Sequence, residues 1–346
     1  MIKTLIKKGF NLKQKKHYKH AIEVFYKALE EDNKSCEILL EIAELFFLIK
    51  NEEKSLSYIE QILKLNETHV GALKLLKTIF LNKKSYQNAE QTAKNIYLIT
   101  KSEEDLAEVL RLLFVQGKFE EVLTYEINRD NPELVYEKAK SLYKLGKDYE
   151  AKSLIIDILE ENRDNKELLV FLGQIYYYEN NMQECAKIVE KFDTNSNDAD
   201  VLNFLGIYYS KIGNYKVAEE IFQKVIRTAP NNDEYYYNYA EHCIKFGNLE
   251  TGKKYYNLAI ILNPDSDIYH YSLAKLYYSQ KHYKRALEEL KGNSFDTKLL
   301  KILILCDSGY LALAKKEAEK MLKEFPENEI LISCKSKIDK ELGLIQ

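Results

Sequence analysis

The feature that most limits the fold of this chain is a mark that returns every 34 residues. Gly213 and Gly247 are 34 apart, and so are Pro230 and Pro264. Aligning the chain on these marks gives units that begin at Ile2, Cys36, Val70, Glu103, Pro132, Lys166, Ala199, Asp233, Asp267 and Phe295, with a last helix from Glu329. The spacings are 34, 34, 33, 29, 34, 33, 34, 34, 28 and 34. A period of this length means stacked copies of one supersecondary unit, each packing on its neighbours, rather than one globular core.

The unit from Ala199 reads most clearly. Leu202, Leu205, Gly206 and Tyr209 fall on one helical face by their i, i+3, i+4, i+7 spacing. Gly213-Asn214 breaks that helix. Ala218, Phe222 and Val225 repeat the spacing on a second helix, which Pro230 stops because its ring forbids continuation. Each unit is therefore expected to be a helical hairpin. Gly206 and Ala218 stand where the two helices cross, and the same small pair recurs as Gly9/Ala21, Ala43/Ser55, Ala139/Ala151, Gly173/Cys185 and Ala274/Ala286. The larger residue after it (Phe25, Ile59, Ile155, Phe222, Tyr256) is expected to fill the gap to the next unit. With 12 glycines and 4 prolines, the prolines all at unit boundaries, the chain lacks the punctuation a strand-rich fold needs. The short units from Glu103 and Asp267 lose residues from the second helix or its exit, near Arg129 and Gly292-Asn293, and a change of stacking direction is expected at both.

This pattern resembles the tetratricopeptide repeat family. There a small residue at position 8, Ala at 20, an aromatic at 24 and Pro at 32 mark a 34-residue helix–turn–helix. The resemblance spans essentially the whole chain. It weakens where Lys77, Leu110 and Ile302 hold position 8. Position 4, often Trp in the family, is never Trp here. The resemblance implies an all-α, right-handed α-solenoid of about ten hairpins plus a C-terminal capping helix. We divide it into four N-terminal units (2–131, the last short), six C-terminal units (132–328, the fifth short) and a cap over 329–346.

In the family, the concave face lined by the first helices takes extended peptides or a partner helix through positions 2, 5, 6, 9, 12 and 13. From Pro132 onward those positions hold Tyr136, Lys140, Tyr143, Tyr177, Tyr178, Asn203, Tyr237, Asn238, Glu241, Tyr271, Lys275 and Tyr278. Tyrosine presents a rigid amphipathic surface at low entropic cost, which suits an interface. Tyr176, Tyr209, Tyr236, Tyr239 and Tyr277 fall instead on core positions. Before Pro132 the same face carries Lys3, Lys7, Phe10, Glu37, Glu41, Glu44 and Phe47, a mixed set. The carboxylate clamp of one family subtype is missing. Asn238 matches its central Asn, but Ile207, Ile268 and Ser272 stand where Asn, Lys and Arg are needed.

The residues expose no enzyme chemistry. Cys306-Asp-Ser-Gly309 has no strand before Ser308, and Gly309 reads as the turn glycine of its unit. There is no Gly-rich phosphate loop. His17 and His20 lack a third metal ligand nearby. No cofactor or metal is expected. The net charge of −3 argues against a polyanion as main partner, and Lys140 and Lys275 are balanced by Glu133, Glu137, Glu234 and Glu241, unlike the basic lining of an RNA-reading repeat. Lysines 3, 7, 8, 13, 15, 16 and 19 precede any acid, and Glu30 to Glu67 then holds ten acids and four lysines. This reads as a solvated end helix beside an acidic neighbour. No run of about 18 apolar residues exists for a transmembrane helix. Five scattered cysteines read as free thiols of a reducing cytoplasm. Only five of 51 basic residues are arginine, and 27 residues are tyrosine, a bias that an AT-rich genome produces by itself.

The expected function is a non-enzymatic scaffold or assembly factor that holds a protein segment in the tyrosine groove. A peptide-sensing regulator is the alternative, although no DNA-binding or catalytic head is visible, and an RNA-binding repeat protein ranks third. Self-association is expected at the uncapped N-terminal unit, through Phe10, Ile2, Leu5 and Ile6.

Overall fold

A computed structural model describes residues 2–344. All regular structure among them is helical. The first four hairpins are α1 (Ile2–Gln14) with α2 (Tyr18–Glu31), α3 (Cys36–Leu48) with α4 (Glu52–Leu65), α5 (Val70–Asn82) with α6 (Tyr86–Thr100), and α7 (Glu103–Val115) with α8 (Phe119–Thr124). Next come α9 (Pro132–Lys144) with α10 (Asp148–Leu159), α11 (Lys166–Tyr178) with α12 (Met182–Val189), and α13 (Ala199–Lys211) with α14 (Tyr215–Thr228). The last are α15 (Asp233–Lys245) with α16 (Leu249–Leu262), α17 (Asp267–Ser279) with α18 (Tyr283–Glu289), and α19 (Phe295–Asp307) with α20 (Leu311–Glu324), followed by α21 (Glu329–Glu341). The chain is an α-solenoid of helical hairpins. Its residues fall into two compact units divided between Leu172 and Gly173.

Every first helix starts where its repeat starts, and each is 13 residues long. Short polar residues set many of these starts. Ser35, Ser102, Asn131, Asp198, Asn232 and Ser294 each accept a backbone N–H of the first turn. The ends are set by one device used in all ten hairpins. The fifteenth residue of the unit has positive φ: Gly117, Gly146, Gly213, Gly247 and Gly309 in five, and Lys16, Lys50, Lys84, Asn180 and Lys281 in the others. Its N–H and the next one turn back onto the helix. Thus Lys50 N–H donates to Phe47 O at 2.9 Å and Asn51 N–H to Phe46 O at 2.9 Å, which caps the helix and reverses the chain.

The expected helix crossings are present. Ala21, Ala43, Ser55, Ala139, Ala151, Cys185, Ala218, Ala274 and Ala286 are all fully buried. Ser55 Oγ donates to the Ala43 carbonyl at 2.8 Å and Cys185 Sγ to that of Gly173 at 3.5 Å, so these backbones do approach closely. The large residue serves its own hairpin as well as the next unit. A Cβ on Gly9 would stand 2.6 Å from Phe25 Cζ, and one on Gly206 would stand 3.0 Å from Phe222. Phe222 then stacks on Tyr239 of the following unit, centroids 5.5 Å apart.

The second helices carry all the irregularity. Most have 12 to 15 residues, but α8 has 6 and α18 has 7, as the short spacings require. With α8 cut short, α7 packs directly along α9. A third short helix, α12 with 8 residues, leaves no trace in the spacing because an irregular exit makes up the length. Phe204 of α13 takes over the filling there, since a Cβ on Gly173 would lie 2.3 Å from its ring, and Phe192 of the exit packs edge-on against Phe204 at 6.4 Å.

A lysine held at positive φ costs about 1 kcal/mol relative to a residue that adopts it freely. Lys50→Gly is therefore expected to stabilise the N-terminal compact unit by about 0.5–1 kcal/mol. A urea midpoint unchanged or lowered in that variant refutes the turn's role.

Candidate partner-binding face

The first helices place the twelve expected groove residues in two sets, one in each compact unit. In the first, Lys140 Nζ lies 4.4 Å from the Tyr136 ring centre and 4.8 Å from that of Phe114. Tyr136 and Tyr143 both pack edge-on against Phe171, at 5.6 and 5.9 Å. Beside them Glu137 is buried and paired with Lys140 at 2.9 Å and with Arg111 Nε at 3.3 Å. Arg111 also pairs with Glu133 and, at 3.5 Å, with Glu108. One guanidinium thus gathers three carboxylates across two units, and these residues are committed to one another.

The second set is more open. Tyr237, Glu241, Tyr271 and Lys275 line one cleft of about 600 Å³ between α15, α17 and α19. Tyr237 stacks on Tyr269 at 5.0 Å and its hydroxyl lies 3.4 Å from Ser272 Oγ. Glu241 accepts the hydroxyl proton of Tyr256. Asp267 and Asp296 join the lining. Outside the cleft, Asn238 donates to Asn203 Oδ1 at 3.2 Å, and Tyr278 donates to Asp307 at 2.6 Å. Tyr177 packs edge-on against Tyr178 and under Lys211 Nζ at 5.3 Å, and Tyr178 is 69% exposed. Burial pushes the Tyr237 and Tyr278 hydroxyls up to about 12, so both are protonated donors near neutrality. Burial also raises the Glu234 carboxyl, and the facing charges of Asp200 and Asp233 raise it further.

Of the five tyrosines assigned to the core by position, Tyr239 is buried, while Tyr176, Tyr209, Tyr236 and Tyr277 are half-buried. Buried tyrosines that the spacing did not single out take structural bonds instead. Tyr235 donates to Asp200 at 2.7 Å and Tyr269 to Asp233 at 2.8 Å, each bridging to the preceding unit. A tyrosine at position 3 with an acid at position 1 or 2 of the unit before was the available signal.

A buried network escaped the sequence reading. His242 Nδ1 lies 3.0 Å from Ser210 Oγ, and Glu219 Oε2 lies 3.3 Å from Nε2. Hydroxyl, imidazole and carboxylate stand in the order of a hydrolytic triad. The surroundings are wrong for one. Ser210 and His242 are buried, and Ser210 sits at the carbonyl end of α13, where the helix dipole opposes an oxyanion. The set ties α13, α14 and α15 together. Ser308, singled out in the Cys306-to-Gly309 stretch, donates to the Ile304 carbonyl at 2.6 Å, and burial raises the neighbouring Cys306 thiol rather than activating it. The His17 and His20 rings are 6.5 Å apart, and no group of three or more metal-ligating side chains occurs among the described residues. Lys13 pairs with Glu41 and Glu44 at 2.6 and 2.5 Å, the acidic neighbour expected there. No helix among the described residues is long and apolar enough to cross a membrane.

Comparison with known proteins agrees with this geometry. Two tetratricopeptide repeat profiles match the chain, one at residues 213–276 and one at 2–35. No curated protein sequence matches. A chain in the crystal structure of the APC/C hetero-tetramer Cut9-Hcn1 superposes with a TM-score of 0.59 at 12% identity, covering 97% of this chain and 76% of that one. A tetratricopeptide repeat protein from Parabacteroides merdae ATCC 43184 gives 0.47 at 15% identity, covering 79% of this chain and 99% of that one. Stacked helical hairpins of this kind define a protein-interaction scaffold. Residues 2–35 and 213–276 are tetratricopeptide repeats, and the chain has the α-solenoid fold of such proteins.

Burial holds the His242 imidazole below its ordinary 6.5, outweighing the attraction of Glu219. The unfolded chain then takes up the proton first, so stability is lost as pH falls below that ordinary value. The urea midpoint is expected to fall between about pH 7.5 and pH 5.5, and His242→Gln to flatten that interval. An unchanged slope in the variant shows that another group titrates.

Proposed function

We propose that the protein is a non-enzymatic scaffold or assembly factor whose partner segment lies in the cleft between α15, α17 and α19. The observation that carries this reading is the convergence of Tyr237, Glu241, Tyr271 and Lys275 on one space of about 600 Å³. The cleft offers flat tyrosine faces for an apolar or aromatic side chain. Glu241, Asp267 and Asp296 outnumber Lys275, so a segment carrying lysine or arginine is favoured. The raised Glu234 carboxyl nearby is likewise a charge that a partner's cation would relieve. The same balance disfavours RNA, which needs a cationic lining. Tyr178, Asn203 and Asn238 extend the surface within the C-terminal compact unit, whereas Tyr136, Lys140 and Tyr143 belong to the ionic cluster of the other unit. In functional terms we group units 2–131 as a support, 132–328 as the partner-binding array and 329–346 as its cap. Five free thiols support a reducing, cytoplasmic setting. Phe10, exposed on α1, supports self-association at the N-terminal unit.

Capture from native lysate tests the reading. The intact chain is compared with a Tyr178→Ser/Tyr271→Ser variant of equal helicity. A specific protein held by the first is expected to be reduced about ten-fold or more on the second. Equal retention on both baits removes the cleft as the working surface.

A further inference from the structure

A larger cavity, of about 1010 Å³, lies elsewhere and shares no residue with the tyrosine cleft. It is built mainly by second helices. The turn at Lys281, the short helix α18 and the start of α20 enclose it, with Leu305 of α19 behind. α18 ends at Glu289 after 7 residues while α20 runs for 14, so beyond this cavity the far half of α20 lies beside the irregular 290–294 segment. A second space of about 230 Å³ continues between that segment and the far half of α20, from Leu290 to Lys320 and Glu324. The trough follows α20 for about 20 Å, four turns at the usual helical rise.

Its chemistry is two-sided. The apolar part is formed by Leu287, Leu305, Leu313 and Tyr310, of which Leu313 and Tyr310 are 53% and 58% exposed. The rim carries Lys281, Lys284 and Arg285, all exposed, against the single carboxylate of Glu288. None of these three cations forms an ion pair among the described residues. Their neighbours do, with Lys298 on Glu324 at 2.8 Å and Lys301 on Glu317 at 2.9 Å. In a chain of net charge −3 this is a local reversal of sign beside exposed leucine and tyrosine. A bare polyanion would use the cations and leave the apolar floor wet. A neutral apolar ligand would leave the cations without partners.

We propose that the trough between α18 and α20 is a second docking site, and that it takes an acidic amphipathic helix of a partner protein. The helix lies over the cavity between α18 and the start of α20. Its apolar stripe meets Leu287, Tyr310 and Leu313, and its carboxylates face Lys281, Lys284 and Arg285. The site prefers the opposite charge to the tyrosine cleft, so one chain can hold two different segments at once. This inference does not rest on the function proposed above.

The test is fluorescence anisotropy on the intact chain with labelled synthetic probes. The first is a peptide of about 16 residues with leucines at i, i+3, i+4 and i+7 and glutamates elsewhere, long enough for marginal helicity. The others are the same peptide with lysine for glutamate, an oligoglutamate of equal length, and a single-stranded oligonucleotide. The acidic amphipathic peptide is expected to bind about ten-fold or more tightly than each of the others. Lys284→Glu/Arg285→Glu and, separately, Leu313→Asp should each weaken it by about ten-fold. These residues are exposed, and unchanged helicity confirms the fold. Tyr178→Ser/Tyr271→Ser should leave this binding unchanged. The proposal is overturned if oligoglutamate or the oligonucleotide binds as well as the acidic amphipathic peptide, if that peptide fails to bind, or if the trough variants retain it at full strength.

Discussion

The close crossing of two helices at a small residue is the contact on which the structure depends. Gly9 and Gly206 admit Phe25 and Phe222 onto their backbones, and Ser55 bonds the Ala43 carbonyl across the same crossing. Burial of one aromatic ring is worth a few kcal/mol, but a hairpin of two short helices buries too little by itself to persist. The ring therefore also packs on the next unit, as Phe222 does on Tyr239. Stability becomes a property of neighbouring pairs, and the chain grows by repetition. The left-handed residue that closes each hairpin brings the second helix to that crossing.

This arrangement divides the labour between helices. The first helix of each unit keeps its length of 13 residues, and helices such as α3, α7 and α15 meet their hairpin partner and both adjoining units. The second helix is free to shorten. Where α8 does so, α7 and α9 close up; where α12 does so, Phe204 and Phe192 fill the space; where α18 does so, a space of about 230 Å³ remains beside the far half of α20. Truncation of one repeated element is thus accommodated differently each time, and an open space of about 420 Å³ also remains beside the exit of α8.

The tyrosines show how a composition bias is absorbed. Many of their hydroxyls are tied to acids in a neighbouring helix: Tyr235 to Asp200, Tyr269 to Asp233, Tyr256 to Glu241 and Tyr278 to Asp307. Each bond satisfies a polar atom that stacking would otherwise strand. The rings that remain exposed are few: Tyr178 on the first-helix face, and Tyr86, Tyr149 and Tyr310 at second helices and their turns. A surplus of tyrosine is therefore mostly mortar, with a small exposed remainder.

The sequence by itself determined the period, the start of every first helix, the crossing pairs and the two short units. All of these depend on contacts within one turn or one hairpin, which leave a periodic trace. It showed the turn only where glycine marks it, since Lys16, Lys50, Lys84, Asn180 and Lys281 adopt the same left-handed backbone under compulsion from the helices on either side. It missed the shortened α12, because the exit segment preserved the register. Which groove residues share a space was decided by the tertiary structure alone. Tyr237 and Tyr271 open on one cleft while Tyr136 closes on Phe171, although all three occupy position 5 of their units. The meeting of buried Ser210 and His242 with Glu219, and the trough beside α20, were decided there too. These features arise between helices of different units, where small differences in side-chain volume and helix length set whether a surface closes or stays open.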